Sequence, residues 1–227
     1  MATKPDPFAD RTEAGRYLAS ALRAYADRTD VVVLALPRGG VPVAFEVARE
    51  LGAPLDVFVV RKLGVPDHEE LAMGAIASGG VAVFSRDLVE NLGISREEIR
   101  RVVVDETREL QRREASYRQG HPRADVCGKI AILVDDGIAT GATMRAAVTA
   151  LRQHAPAKIV VAVPISSPDV CAMMTEAADE VVCVRQAQPL GAVGYWYRDF
   201  AQTSDEQVHE LLAQAARLAD AEALPAH

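Results

Sequence analysis

Five short runs of β-branched and aliphatic residues, Val31–Leu36, Leu55–Val60, Lys129–Val134, Lys158–Pro164 and Glu180–Val184, recur along the chain. Runs of this length and composition read as strands buried on both faces. Between them the apolar positions switch to helical spacing. Val41–Leu51 is a helix stopped by Gly52, and Ala142–His154 and Pro168–Ala178 read as two further helices. An amphipathic helix over Asp10–Arg28 precedes the first strand, with Tyr17, Leu18, Ala21, Leu22 and Tyr25 on one face and Asp10 or Thr12 as its cap. Strands alternating with helices predict a three-layer α/β fold around a five-stranded parallel sheet. In the common 2-1-3-4-5 order, the switch point where ligands bind lies between the first and third strands.

Two segments break the alternation. Arg61–Gly128 reads as a hairpin, Leu71–Ala77 and Val81–Phe84 around Ser78-Gly79-Gly80, followed by a charged helix over Ser95–Gln119. Gln186–Thr203 gathers Tyr195, Trp196, Tyr197 and Phe200 in a chain only 5% aromatic, and a last helix runs from Ser204 to about Leu218. Residues 1–227 are therefore expected to form one domain, with 61–128 an inserted, flexible cover and 186–203 a hood over the carboxyl end of the sheet. The Arg- and Glu-rich helix is expected to be a salt-laced surface or a self-association face, compatible with a homodimer.

Composition narrows the choice of partners. The 227 residues are 49% hydrophobic and 25% charged, ordinary for a globular chain that can bury its own core. A net charge of -7 opposes broad attraction to nucleic acid or anionic lipid, so neither is an expected partner. Cys127, Cys171 and Cys183 form no Cys-x-x-Cys pair, which suits a reducing compartment. The start of the chain lacks a signal-peptide pattern and no apolar run is long enough to span a bilayer, so a soluble, cytoplasmic location is expected. His68, His121, His154, His209 and His227 form no zinc motif.

The chemistry concentrates in Ile132-Leu133-Val134-Asp135-Asp136-Gly137-Ile138-Ala139-Thr140-Gly141-Ala142-Thr143. A buried strand here runs into two carboxylates, a Gly/Thr loop and a helix start. Amides around Gly141 and the hydroxyls of Thr140 and Thr143 offer donors to a phosphate. Asp135 and Asp136 offer acceptors to a vicinal diol or a divalent cation. A ligand with both features is a ribose 5-phosphate. Only three residues separate Gly137 from Gly141 and no lysine follows, so the loop is not a Walker A loop, and no G-x-G-x-x-G follows the first strand.

The stretch Val134–Thr143 resembles the phosphoribosyl pyrophosphate (PRPP) binding motif of the type I phosphoribosyltransferases. That resemblance implies that Asp135 and Asp136 hold the ribose hydroxyls and that Gly137, Ile138, Ala139, Thr140, Gly141, Ala142 and Thr143 wrap the 5-phosphate. Pro37-Arg38-Gly39-Gly40, after the first strand, is similar to the family's pyrophosphate loop, where a non-proline cis peptide often occurs. Arg38, Gly39, Gly40 and Lys62, the last from the Arg61-Lys62 pair, are then the expected pyrophosphate contacts, with Arg38, Lys62, Asp135 and Asp136 the catalytic set. Mg²⁺ is the implied cofactor, held through PRPP or indirectly by Asp135 and Asp136.

The hood segment is similar to that of the 6-oxopurine enzymes, which makes Val193, Tyr195, Trp196 and Asp199 the expected base contacts, with Trp196 able to stack on a base. Ala139 stands where those enzymes carry an aspartate that handles the base proton, while adenine-type enzymes place alanine there. The implied activity is transfer of ribose 5-phosphate from PRPP to a nucleobase-like, purine-class acceptor in nucleotide salvage, with release of pyrophosphate. A PRPP- or nucleotide-sensing regulator is the alternative, and a sugar-phosphate phosphatase ranks third.

Overall fold

The computed structural model describes residues 6–66 and 68–223. Helix α1 (Arg11–Ala21) starts at Asp10, whose carboxylate accepts from the Glu13 amide at 2.8 Å. It is shorter than the expected Asp10–Arg28. After Ala21 the chain tightens into a 3₁₀ turn, Arg23–Tyr25, and Asp27 takes a φ of 57° as its amide reaches the Leu51 carbonyl at 3.0 Å. Strand β1 (Val31–Ala35), helix α2 (Gly40–Leu51) and strand β2 (Leu55–Val57) form the first β-α-β unit, and Gly52 ends the helix in the left-handed conformation, as its place in the sequence predicts.

The expected second strand, Leu55–Val60, divides. Phe58 gives its amide to Ala35 at 2.8 Å, the chain leaves the parallel sheet, and Val60 opens β3 (Val60–Val65). Ser78 fixes the change of partner: its Oγ accepts from the Val59 amide and its own amide donates to the Val59 carbonyl, both at 2.8 Å. Strand β3 pairs antiparallel with β4 (His68–Ala77), which pairs with β5 (Val81–Phe84). The expected two-stranded hairpin is thus a three-stranded sheet. A short helix α3 (Arg86–Asn91), too brief to leave a periodic signature, leads to α4 (Arg96–Arg118), which begins with a reciprocal capping box between Ser95 and Glu98.

The alternation resumes with β6 (Ile130–Val134), α5 (Ala142–Arg152), β7 (Lys158–Ser166), α6 (Pro168–Thr175) and β8 (Glu180–Gln186). A 3₁₀ turn, Val193–Trp196, and helix α7 (Asp205–Ala223) complete the chain, the latter extending past the expected Leu218. All neighbours in the large sheet are parallel and its order is β2-β1-β6-β7-β8, the expected 2-1-3-4-5 arrangement. Alternate residues of each strand feed opposite cores. Val31, Val33, Ile130 and Ile132 pack toward α1, α2 and α7, while Val32, Leu34, Ala131 and Leu133 pack toward α5 and α6.

The small sheet lies along α5. At its turn, His154, just beyond the end of α5, meets the Ser78 carbonyl at 3.1 Å. No helix among the described residues is long and apolar enough to cross a membrane.

Candidate active site

Five parallel strands place their carboxyl ends, and the loops that follow, on one side of the sheet. After β6 the chain delivers Asp135 and Asp136, then pins its loop to the neighbouring strand. The Ile138 amide donates to the Ile165 carbonyl at 3.0 Å, and the buried Ser166 hydroxyl donates to the Ile138 carbonyl at 2.9 Å. Gly141, with φ of 80°, caps α5 while seated against α6, where a Cβ would lie 2.5 Å from Met173 Cε. The first-turn amides of α5 lack intrahelical acceptors, and Thr140, Ala142 and Thr143 are exposed beside them. A phosphate would meet amides, hydroxyls and the positive end of a helix dipole at this point.

The two acids differ in their partners. Asp135 receives the Asp136 amide on Oδ1 at 2.8 Å, and its carboxyl is pushed well above the usual carboxylate range by burial and then by the charge of Asp136. Burial also raises Asp136, against the pull of Arg11. Arg11, the first residue of α1, places both Nε and Nη2 at 2.8 Å from Asp136 Oδ2. Tyr197 donates its hydroxyl to the Asp136 carbonyl at 2.5 Å, and burial followed by the nearby Asp136 charge raises its phenol. Sequence reasoning missed Arg11 and this use of Tyr197. The only sequence signal for Arg11 was a cation in a helix's first turn, where the dipole disfavours it.

The glycine loop after β1 lies against the same acids. The Pro37–Arg38 peptide is cis. A Cβ on Gly40 would stand 2.7 Å from the Val134 carbonyl and 3.2 Å from Asp135 Oδ1, so only glycine lets the two loops approach this closely. The Gly40 amide donates to the Leu36 carbonyl at 3.1 Å, which makes close packing its role and leaves Gly39 as the glycine amide the loop can offer an anion. The Arg38 guanidinium turns toward α7, 3.8 Å from Asp205, and lines a small polar cavity with Arg112, Arg113 and Tyr117.

Lys62 and Thr143 share the walls of a cavity of about 570 Å³ between the small sheet and α5. Arg61, the other member of the basic pair, is held by Glu106 at 2.6 Å.

The hood reaches the acid loop through Val193, whose methyl groups occupy the space a Cβ on Gly137 would need. Trp196 does not face a ligand space in this structure. It is 4% exposed in a cluster with Phe8, Ala14, Ile165 and Tyr197, and its indole donates to the Leu190 carbonyl at 2.9 Å. The expectation that it stacks on a base is corrected accordingly, because burying so large a ring between α1 and β7 stabilises the segment itself. Tyr195, 70% exposed, is the aromatic residue the turn presents outward. Asp199 is exposed and accepts the Ala201 amide at 3.0 Å.

The sequence model of the family described as "Phosphoribosyl transferase domain" matches residues 10–186. Two Mycobacterium tuberculosis proteins, from strains CDC 1551 / Oshkosh and H37Rv and each provisionally named a phosphoribosyl transferase, are 50% identical to it over 210 residues. The alignment covers 92% of this chain and 47% of theirs, so the chain spans about half the length of these relatives. A crystal structure of the Thermus thermophilus protein TT1426 superposes with a TM-score of 0.81 at 41% identity, covering 92% of this chain and 98% of that one. The family match begins at the cap of α1 and ends with the last residue of β8, taking in the acid loop and the glycine loop on the way, and the chain thus belongs to the phosphoribosyl transferase domain family.

Proposed function

We propose that the chain transfers the 5-phosphoribosyl group of PRPP to a ring nitrogen of a nucleobase of the purine class and releases pyrophosphate. One observation carries this reading: the acid pair, the amide-rich start of α5 and the glycine loop converge at the carboxyl ends of β1 and β6, with Gly39 and Gly40 in contact with Asp136 and Asp135. That spacing serves one ligand bearing a phosphate, a diol and a second anionic group.

In the reaction the bond from ribose C1 to the pyrophosphate oxygen breaks, and its electron pair leaves with pyrophosphate. A bond from the acceptor nitrogen to C1 forms, and the proton on that nitrogen departs. Asp135 and Asp136 would orient the ribose hydroxyls and oppose the positive charge that grows on the ring. Amides near Gly141, with Thr140 and Thr143, would hold the 5-phosphate, while the Gly39 amide and Lys62 would receive charge on the leaving group. Arg38 joins them once it leaves Asp205. Ala139 supplies no proton acceptor, so the acceptor's proton passes to water or to the departing pyrophosphate.

Mg²⁺ suits this donor set. Among the described residues no group of three or more His, Cys, Asp or Glu side chains converges, so the protein contributes at most Asp135 and Asp136, and the phosphates of PRPP complete the shell. The cation would supply neutralisation of the pyrophosphate charge. The same reading makes PRPP, pyrophosphate and a nucleobase the partners of a cytoplasmic salvage reaction.

A pyrophosphate-release assay with PRPP, Mg²⁺ and a panel of bases tests it, and turnover that requires one of the purines is the expected result. A second reading, a PRPP-binding regulator, is favoured by the Arg11 guanidinium already seated on Asp136. It predicts PRPP binding by calorimetry with no base-dependent turnover, whereas pyrophosphate release independent of any base would point to hydrolysis.

A further inference from the structure

Arg11 occupies a place that helix energetics alone would not give it. A cation in the first turn of α1 faces the positive end of the helix dipole. Its side chain is nonetheless 12% exposed, and its contacts leave the helix for two other parts of the chain. Nε and Nη2 both bind Asp136 Oδ2 at 2.8 Å, and Nη1 donates to the Ala201 carbonyl at 2.8 Å. The guanidinium lies 3.9 Å from the centre of the Phe200 ring, and Phe200 in turn packs on Tyr197 at 5.0 Å between centroids. Tyr197 closes the circuit through its hydroxyl on the Asp136 carbonyl. One residue of the acid pair is therefore joined to the hood by a ring of four residues, closed through its main-chain carbonyl.

The direction of these bonds matters. Both guanidinium contacts fall on Oδ2, so the carboxylate is fixed about its own axis and Oδ1 is the oxygen left for a hydroxyl of the sugar. We infer that Arg11 is a positioning residue for the ribose end of the site: it sets the rotamer of Asp136 and, through Phe200, makes the placement of the hood depend on that carboxylate. This rests on the reading of Asp136 as a ribose contact. It goes further in assigning a residue 125 positions away, outside the acid and glycine loops, to selective recognition of the sugar. Lysine at this position would keep the charge but lose the planar fork that binds one oxygen twice while stacking on a ring.

The test separates ligands by which end of PRPP they retain. Binding of PRPP with Mg²⁺, of ribose 5-phosphate and of inorganic pyrophosphate is measured by calorimetry for the unaltered chain, Arg11→Gln and Arg11→Lys, with circular dichroism as the check on folding. Arg11→Gln is expected to weaken PRPP and ribose 5-phosphate by roughly tenfold or more and pyrophosphate by less than about twofold, with Arg11→Lys recovering part of the ribose 5-phosphate affinity. Equal losses for all three ligands would make Arg11 a general structural anchor, and unchanged affinity for the two sugar ligands would remove the assignment. If Arg11→Gln does not fold, Arg11→Lys, which keeps the charge and loses the planar fork, carries the test against the unaltered chain. Weaker ribose 5-phosphate binding with pyrophosphate unchanged supports the inference, and no change in either overturns it. An unaltered chain that binds neither PRPP nor ribose 5-phosphate would instead defeat the underlying reading of the site.

Discussion

Gly39 lies so close to Asp136 that a β-carbon on it would overlap the carboxylate oxygen Oδ2. The same oxygen carries both bonds from Arg11. Gly39 has φ of -60° and ψ of -31°, which alanine adopts without strain, so Gly39→Ala tests the contact alone. The methyl group is expected to displace Asp136 and weaken PRPP binding by about tenfold or more, on the order of 1.4 kcal/mol. The unfolding midpoint should fall as well, because displacing Asp136 disturbs its largely buried ion pair with Arg11. Calorimetry that finds unaltered PRPP affinity in Gly39→Ala would show that the carboxylate need not sit where it does.

Asp135 is expected to cost the fold stability at neutral pH. Its folded pKa lies above the ordinary value, chiefly through burial, so the ionised form is disfavoured in the native state relative to the unfolded chain. With that sign, the penalty is present above the folded pKa and is relieved as pH falls through it. Asp135→Asn keeps an oxygen for the Asp136 amide and removes the charge. It is expected to raise stability at pH 7 while sharply weakening PRPP binding, the trade expected where a site is held in an unfavourable state for its ligand. Urea unfolding and calorimetry on the same preparation check both halves, and a less stable variant would contradict the first.

Much of this was legible in the sequence because it is local. The acid loop is one contiguous stretch from Val134 to Thr143, and the five-stranded parallel sheet follows from five apolar runs separated by helices, its order being the common one for such sheets. What escaped depended on distance along the chain. Arg11 meets Asp136 across 125 positions, and nothing near Arg11 announces it. Strand β3 was hidden because Arg61, Lys62 and Gly64 break the apolar pattern, and its existence depends on Ser78 capturing Val59. Trp196 shows the converse: its aromatic surroundings suggested a ligand face, whereas the tertiary fold gives the ring to the core.

Tyr195 and Trp196, adjacent in sequence, are expected to separate in their effects. Trp196→Phe loses the bond to Leu190 and part of a buried ring, and should lower stability by about 1–3 kcal/mol. Tyr195→Ala, at a 70% exposed position, should leave stability within about 0.5 kcal/mol and raise the KM for the acceptor base. The fluorescence of Trp196 should be blue-shifted and poorly quenched by acrylamide before any ligand is added. Strong quenching in the ligand-free protein would place the ring at the surface.

Tyr117 offers a pH test of the contact between α4 and the start of α7. Its hydroxyl donates to Asp205 at 2.9 Å, and burial together with that bond pushes the phenol up from 10.0 to about 12. A folded pKa above the unfolded value means that the stabilisation is fully present below pH 10.0 and is lost as pH rises toward about 12. Tyr117→Phe should be less stable than the unaltered chain at pH 8, by about 0.5–1.5 kcal/mol, because Asp205 loses a donor. The gap should then narrow through the alkaline window, since phenylalanine has no proton to lose. Other tyrosines titrate in both proteins, so the difference between the two unfolding curves isolates this one. Asp205 also stands 3.8 Å from Arg38, so the same variant should leave the carboxylate freer to hold that guanidinium and raise the KM for PRPP. Urea titrations at half-unit steps from pH 8 to pH 12 would decide the matter: a gap that stays constant with pH means that Tyr117 does not carry the shifted proton.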